Sequence, residues 1–82
     1  MLLEILTPEK NVFSGEAKLV KLPGSSGSFE VMKNHAAIIS ALTEGEVKIE
    51  TETDEIIRYQ ISGGVVEVRN NHIVLLAEAI EK

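Results

Sequence analysis

Few side chains in this 82-residue chain could act on a substrate. His35 and His72 are its only histidines, and it has no cysteine. A zinc site needs three or four N, S or O ligands that converge. Neither histidine has a second candidate ligand at a useful spacing, so both read as turn or surface residues and no metal is expected. The run Gly24-Ser25-Ser26-Gly27-Ser28 invites a nucleophile or a phosphate loop. A nucleophile elbow needs glycine two positions either side of the serine. Ser26 has Gly24 before it but Ser28 after it. A phosphate loop needs lysine after glycine and then serine or threonine; a dinucleotide fingerprint needs spaced glycines that open a helix. Neither pattern is met, and the run reads as a flexible hairpin loop. Glu50 with Glu52 and Asp54 with Glu55 are paired carboxylates. Acid–base work needs one of a pair desolvated, and these lie in the most polar stretch of the chain. With no nucleophile, base or metal set to assign, the chain is expected not to be an enzyme and to use no cofactor.

One lysine suggests a different chemistry. Glu30-Val31-Met32-Lys33-Asn34 resembles the Met-Lys hairpin of biotinyl and lipoyl carrier domains, whose lysine carries a prosthetic group at an exposed turn. Those domains are built as two similar halves about that lysine. Here no half-repeat surrounds Lys33, and Asn34 follows where a second methionine is common. A carrier modified at Lys33 is one alternative; a small all-β interaction module is another.

Whatever these residues do, strands must position them. Val47, Ile49 and Thr51 alternate with Lys48, Glu50 and Glu52, the period of two expected of a half-buried strand. Ile57, Tyr59 and Ile61 alternate with Arg58 and Gln60, and Val66 and Val68 with Glu67 and Arg69. Met1–Leu6, Ala17–Leu22, Phe29–Met32, Ala36–Leu42 and His72–Ala77 are shorter apolar runs. Turn residues separate them at Thr7–Asn11, Pro23–Ser28, Lys33-Asn34, Thr43–Gly45, Thr53-Asp54, Ser62–Gly64 and Asn70-Asn71. Strands at intervals of about 8 to 12 residues predict a sandwich or barrel. The end, Leu75 to Lys82, is rich in helix formers but too short for a stable helix of its own. A strand is expected to about Leu76, with the tail undecided. Adjacent apolar residues at Leu19-Val20 and Val65-Val66 break the alternation, which predicts either a bulge or outward apolar groups that meet a partner.

Composition narrows the function further. Eighty-two residues make one domain, expected to span 1–82. Apolar residues are 44% of the chain, too many for a disordered tail. Residues 44–55 hold six acids against Lys48 alone, so that stretch carries a charge equal to the whole net −5. Nucleic acid needs a basic face, so it is not an expected ligand. No apolar run approaches the roughly 20 residues of a membrane span. Met1-Leu2-Leu3-Glu4 lacks the basic start of a signal peptide, and the chain reads as intracellular and water-soluble.

Taken together, the punctuation resembles one family: the N-terminal β-sandwich domain of the epsilon subunit of F-type ATP synthases. The stretches that carry the resemblance are Phe13-Ser14-Gly15, Leu22-Pro23-Gly24-Ser25-Ser26-Gly27-Ser28-Phe29, Asn34-His35-Ala36, Gly45-Glu46-Val47-Lys48-Ile49 and Ser62-Gly63-Gly64-Val65-Val66-Glu67-Val68, continuing through Asn71 to Val74-Leu75-Leu76-Ala77-Glu78. All six glycines are expected at strand ends. The resemblance implies an all-β fold, a flattened two-sheet sandwich of about ten short strands. It implies a non-catalytic rotor subunit in the central stalk that couples the gamma subunit to the c-ring, peripheral at the cytoplasmic face of the bacterial inner membrane. It places Ser25, Ser26, Ser28, Phe29 and Glu30 against the polar loops of the c-ring, and His35, Ala36, Ile38 and Leu42 against gamma. The family often has an acid where this chain has Ser28 and a glycine at Glu30; the carboxylate here could pair with basic residues of the ring. Ala37 stands where the family usually has proline. Members commonly continue as a two-helix hairpin that can inhibit ATP hydrolysis; a chain that stops at Lys82 is expected to lack that brake.

Overall fold

The computed structural model describes residues 1–81. They form nine strands and no helix: β1 (Leu2–Leu6), β2 (Asn11–Gly24), β3 (Gly27–Met32), β4 (Ile38–Leu42), β5 (Gly45–Thr51), β6 (Ile56–Ile61), β7 (Gly64–Arg69), β8 (His72–Ala77) and β9 (Ile80–Glu81). One hydrogen-bonded network runs β1-β8-β7-β4-β2-β5-β6-β9, with β3 on β2 and a further β1–β2 pairing. β1 and β8 pair in parallel; the remaining pairs are antiparallel.

The network folds into two layers because β2 belongs to both. Its first half, Asn11–Glu16, pairs with β1. Its second half lies between β3 and β5. Fourteen residues at about 3.3 Å each would reach roughly 45 Å. The molecule is only 26 Å in its longest dimension, so β2 must bend. The register slips between Ala17 and Leu19, and such a bulge bends a strand locally. The doubled apolar pair Leu19-Val20 follows that slip. The strand count is nine rather than about ten, with β2 serving both layers.

Alternation along the strands fills the space between the layers. Leu3 and Ile5 of β1, Val66 and Val68 of β7, and Ile73 and Leu75 of β8 face Val20 and Leu22 of β2, Val31 of β3, Val47 and Ile49 of β5 and Ile61 of β6; all are fully or almost fully buried. Thr51 is the one buried polar residue among those described. Its hydroxyl accepts the Glu55 N–H at 3.0 Å, so the β5–β6 turn satisfies it.

Asparagine and aspartate shape the tight turns. Asn70 (φ 52°) and Asn71 (φ 61°) alone join β7 to β8; left-handed φ at both positions is the two-residue turn whose twist matches the strands it joins. Asn34 and Asp54 adopt the same conformation in their turns. The Gly24–Ser28 run, expected as a flexible hairpin loop, is mostly paired strand. β2 and β3 continue to a Gly24–Gly27 pair, leaving Ser25-Ser26 as the turn, and Gly27 takes a φ of 128° that a side chain would resist. Gly15 is the exception among the glycines, since it lies inside β2 opposite Leu3. At the other end, Ile80 and Glu81 pair with β6. Helix-forming composition yields there to a long-range strand pairing, and Lys82 lies outside the described residues.

Candidate interaction surface

The β2–β3 hairpin presents Ser25, Ser26, Ser28 and Glu30 to solvent. Phe29 behaves differently. It is opposite Leu22 and packs half-buried against the core, its ring lying against Gly24. The tip is pinned from behind: Ser25 N–H donates to the Ala41 carbonyl at 3.0 Å and Thr43 N–H to that of Pro23 at 2.8 Å. A polar tip on a fixed base suits contact with another polar loop.

The segment after β3 carries His35, half-buried, and Ala36, exposed. The Nδ1 of His35 lies 2.7 Å from the Ala36 carbonyl; a carbonyl only accepts, so Nδ1 holds the proton. Ile38 and Leu42 do not stand on the surface with them. Leu42 is only 6% exposed, and Ile38 packs half-buried on the core. Both share the inward face of β4. Ile39 and Ala41 face out, and Ile39 is 74% exposed.

The strand register extends that outward face. Ala41 of β4 is opposite Val65 of β7, Val65 is opposite Leu76 of β8, and Leu76 is paired with Leu6 of β1. Paired residues share a face, so four apolar side chains line up across four strands. The next row along is Ile39, Glu67, Val74 and Glu4. Val65 and Leu76 are respectively 38% and 49% exposed. Apolar groups gathered on an outward face mark a contact surface. The doubled Val65-Val66 was the sequence signal for it; the contributions of Ile39, Ala41 and Leu76 depend on pairing.

Elsewhere the polar residues are dispersed. His72 Nε2 lies 3.2 Å from Glu4 Oε2, and among the described residues no three His, Asp or Glu gather as a metal set. Lys33 is an exposed turn residue. In the acidic stretch, Lys18 of β2 hydrogen-bonds and ion-pairs with Asp54 and lies 3.8 Å from Glu50. The Asp54 hydrogen bond raises its ammonium above the ordinary 10.5; desolvation, the next largest effect, opposes the rise, and the charges of Asp54, Glu50 and Glu52 add to it. A raised folded-state value means stabilisation that is full below the unfolded pKa and lost as pH rises through the folded one. Replacing Lys18 by Met should therefore lower the melting temperature slightly at pH 8, and the difference from wild type should vanish as pH rises beyond 10.5. Paired thermal melts from pH 8 to 12 check this.

The described residues form a small all-β domain with a polar hairpin tip, an outward apolar row and dispersed titratable groups. Its family is that of the ATP synthase delta/epsilon chain β-sandwich domain, whose model matches residues 1–82; the chain belongs to it. The ATP synthase epsilon chain of Brevibacillus brevis is 38% identical over 81 residues, 99% of this chain and 61% of that one. The epsilon chain of Chlorobium limicola is 41% identical over 78 residues, 95% of this chain and 89% of its own length. This chain thus spans less than two thirds of the first relative and most of the second. Among solved structures, a chain in the Euglena gracilis mitochondrial ATP synthase OSCP/F1/c-ring assembly superposes with a TM-score of 0.86 at 18% identity, covering 96% of this chain and 51% of that one. A chain in the central stalk/c-ring structure of the Tetrahymena thermophila mitochondrial enzyme gives 0.82 at 20%, covering 99% and 65%. At such identities these likenesses establish the fold.

Proposed function

We propose that this chain is a non-catalytic rotor subunit of the central stalk of an F-type ATP synthase, coupling gamma to the c-ring so that ion-driven rotation powers ATP synthesis. It works at the cytoplasmic face of the bacterial inner membrane, held there through the complex. The observation that carries this reading is the family match over the whole chain. The β2–β3 hairpin meets the polar loops of the c-ring through Ser25, Ser26, Ser28 and Glu30, with Phe29 bracing the tip from inside. Gamma meets His35 and Ala36. The aliphatic part of that contact moves from Ile38 and Leu42, which face the core, to Ile39, Ala41, Val65 and Leu76. A coupling part needs contact area and stiffness rather than a nucleophile, and nine strands around a single apolar core supply both.

The test is a pull-down of the tagged protein from gently solubilised membranes of its own source, read by mass spectrometry. Gamma, c and the head subunits are expected in the eluate. Their absence, with the synthase present in the input, would reduce the resemblance to one of fold and favour an interaction module with another partner.

A further inference from the structure

We infer that Asn71 is a positioning residue for the gamma contact: through Asn34 it holds the His35–Ala36 segment in its docking orientation. The proposal rests on the placement of gamma at His35 and Ala36 made above. Lys33–Ala37 links β3 to β4 and belongs to no strand. His35 N–H donates to the Met32 carbonyl at 3.1 Å, and the His35 ring to its own neighbour Ala36; both bonds are local. The side-chain bonds that reach across the fold go to Asn71, 37 residues away in sequence. Asn34 N–H donates to Asn71 Oδ1 at 2.6 Å, and Asn71 Nδ2 donates to Asn34 Oδ1 at 3.2 Å.

The geometry makes this a clasp with one fixed jaw. Asn71 sits in the two-residue turn between β7 and β8, whose strands pair up to Arg69–His72, so its backbone has little freedom. Asn34 is the other jaw, outside any strand and at the start of the contact segment. Both residues are left-handed, with φ of 67° and 61°, a conformation asparagine tolerates better than most side chains. The Asn71 side-chain amide accepts from the main chain of Asn34 and donates to its side chain, so both of its polar atoms are used. Next to the clasp, Ala37 and Ile39 line one side of a shallow groove and Glu67 and Arg69 the other. The orientation of the segment therefore sets how it adjoins the outward face of β7. Ala37 lacks a ring that would stiffen the backbone on its own.

Preorganisation raises affinity by removing the ordering cost at binding. Asn71→Gly removes both bonds and still suits a positive φ, so the variant folds. Asn70→Gly, in the same turn but outside the clasp, is the control. Three readouts are taken on the full chain: melting temperature, hydrogen exchange of the amides of residues 34–37, and affinity for the gamma-containing head complex of the same source. Asn71→Gly should exchange faster at those amides and bind roughly five- to tenfold more weakly, with little change in melting temperature. Adding Ala37→Pro to Asn71→Gly should recover most of the affinity. Asn70→Gly should bind as wild type does.

Unchanged exchange and unchanged affinity in Asn71→Gly, while His35→Ala weakens binding, would overturn the clasp and leave the contact reading standing. If neither His35→Ala nor Ala36→Asp changes affinity, the contact reading fails and takes the proposal with it. The exchange data then still report whether the clasp orders the segment.

Discussion

Replacing Gly64 by alanine should cost the domain most of its stability. A Cβ at that position would lie 2.3 Å from the Leu76 carbonyl oxygen and 3.0 Å from the Ala77 Cα. Both are backbone atoms of β8, so no side chain can swing aside, and the first residue pair of the β7–β8 ladder must open. Overpacking of a well-formed core typically costs about 1–3 kcal/mol and occasionally more; this rigid contact belongs at the upper end. A domain of this size holds on the order of 5 kcal/mol in total. The melting temperature should fall by roughly 15 °C, since about 1 kcal/mol moves it by about 4–8 °C in so small a domain. Circular dichroism melts at one protein concentration measure it. A drop of less than about 5 °C would mean that β7 and β8 separate far more easily than their pairing implies.

Leu76→Glu should do the opposite: spare the fold and disable the contact. Leu76 is 49% exposed, so a polar replacement should shift stability by less than about 1 kcal/mol. It lies mid-row between Val65 and Leu6, where a charge would be buried unpaired beneath an apolar partner. Truncating or charging a central anchor commonly costs several kcal/mol of binding. If the apolar row meets gamma as proposed, affinity should fall at least about 100-fold, read by titration of the gamma-containing head. Lys48→Glu, on the outward face of the other layer, is the control and should bind normally. Equal affinities for the two variants would remove the apolar row from the gamma contact.

Much of the fold was legible in the chain because alternation is a local signal. Val47, Ile49 and Thr51 are buried as their period requires, and Asn34, Asp54, Asn70 and Asn71 each take the left-handed turn conformation. What local pattern does not decide has a common cause in distance along the chain. The run Ala36–Leu42 is apolar on both faces, so its pattern alone does not say whether Ile38 or Ile39 looks inward. Pairing of Ile38 with Val68 decides it, and those residues lie far apart in sequence. The tail follows the same rule: Ile80 is a strand residue because Ile61 is opposite it. The Asn34–Asn71 contact likewise joins two turns that the sequence shows only separately.

The bent strand β2 has a mechanical consequence. The hairpin tip at Ser25-Ser26 is its far end, and its other half is stitched into the opposite layer. A sideways load on the tip travels along covalent bonds into both layers before any ladder is strained. The layers cannot slide past one another as two stacked plates would, because one continuous backbone is threaded through the pair. A gear tooth cut from the same piece as its wheel carries a load in this way, into the body rather than along a seam.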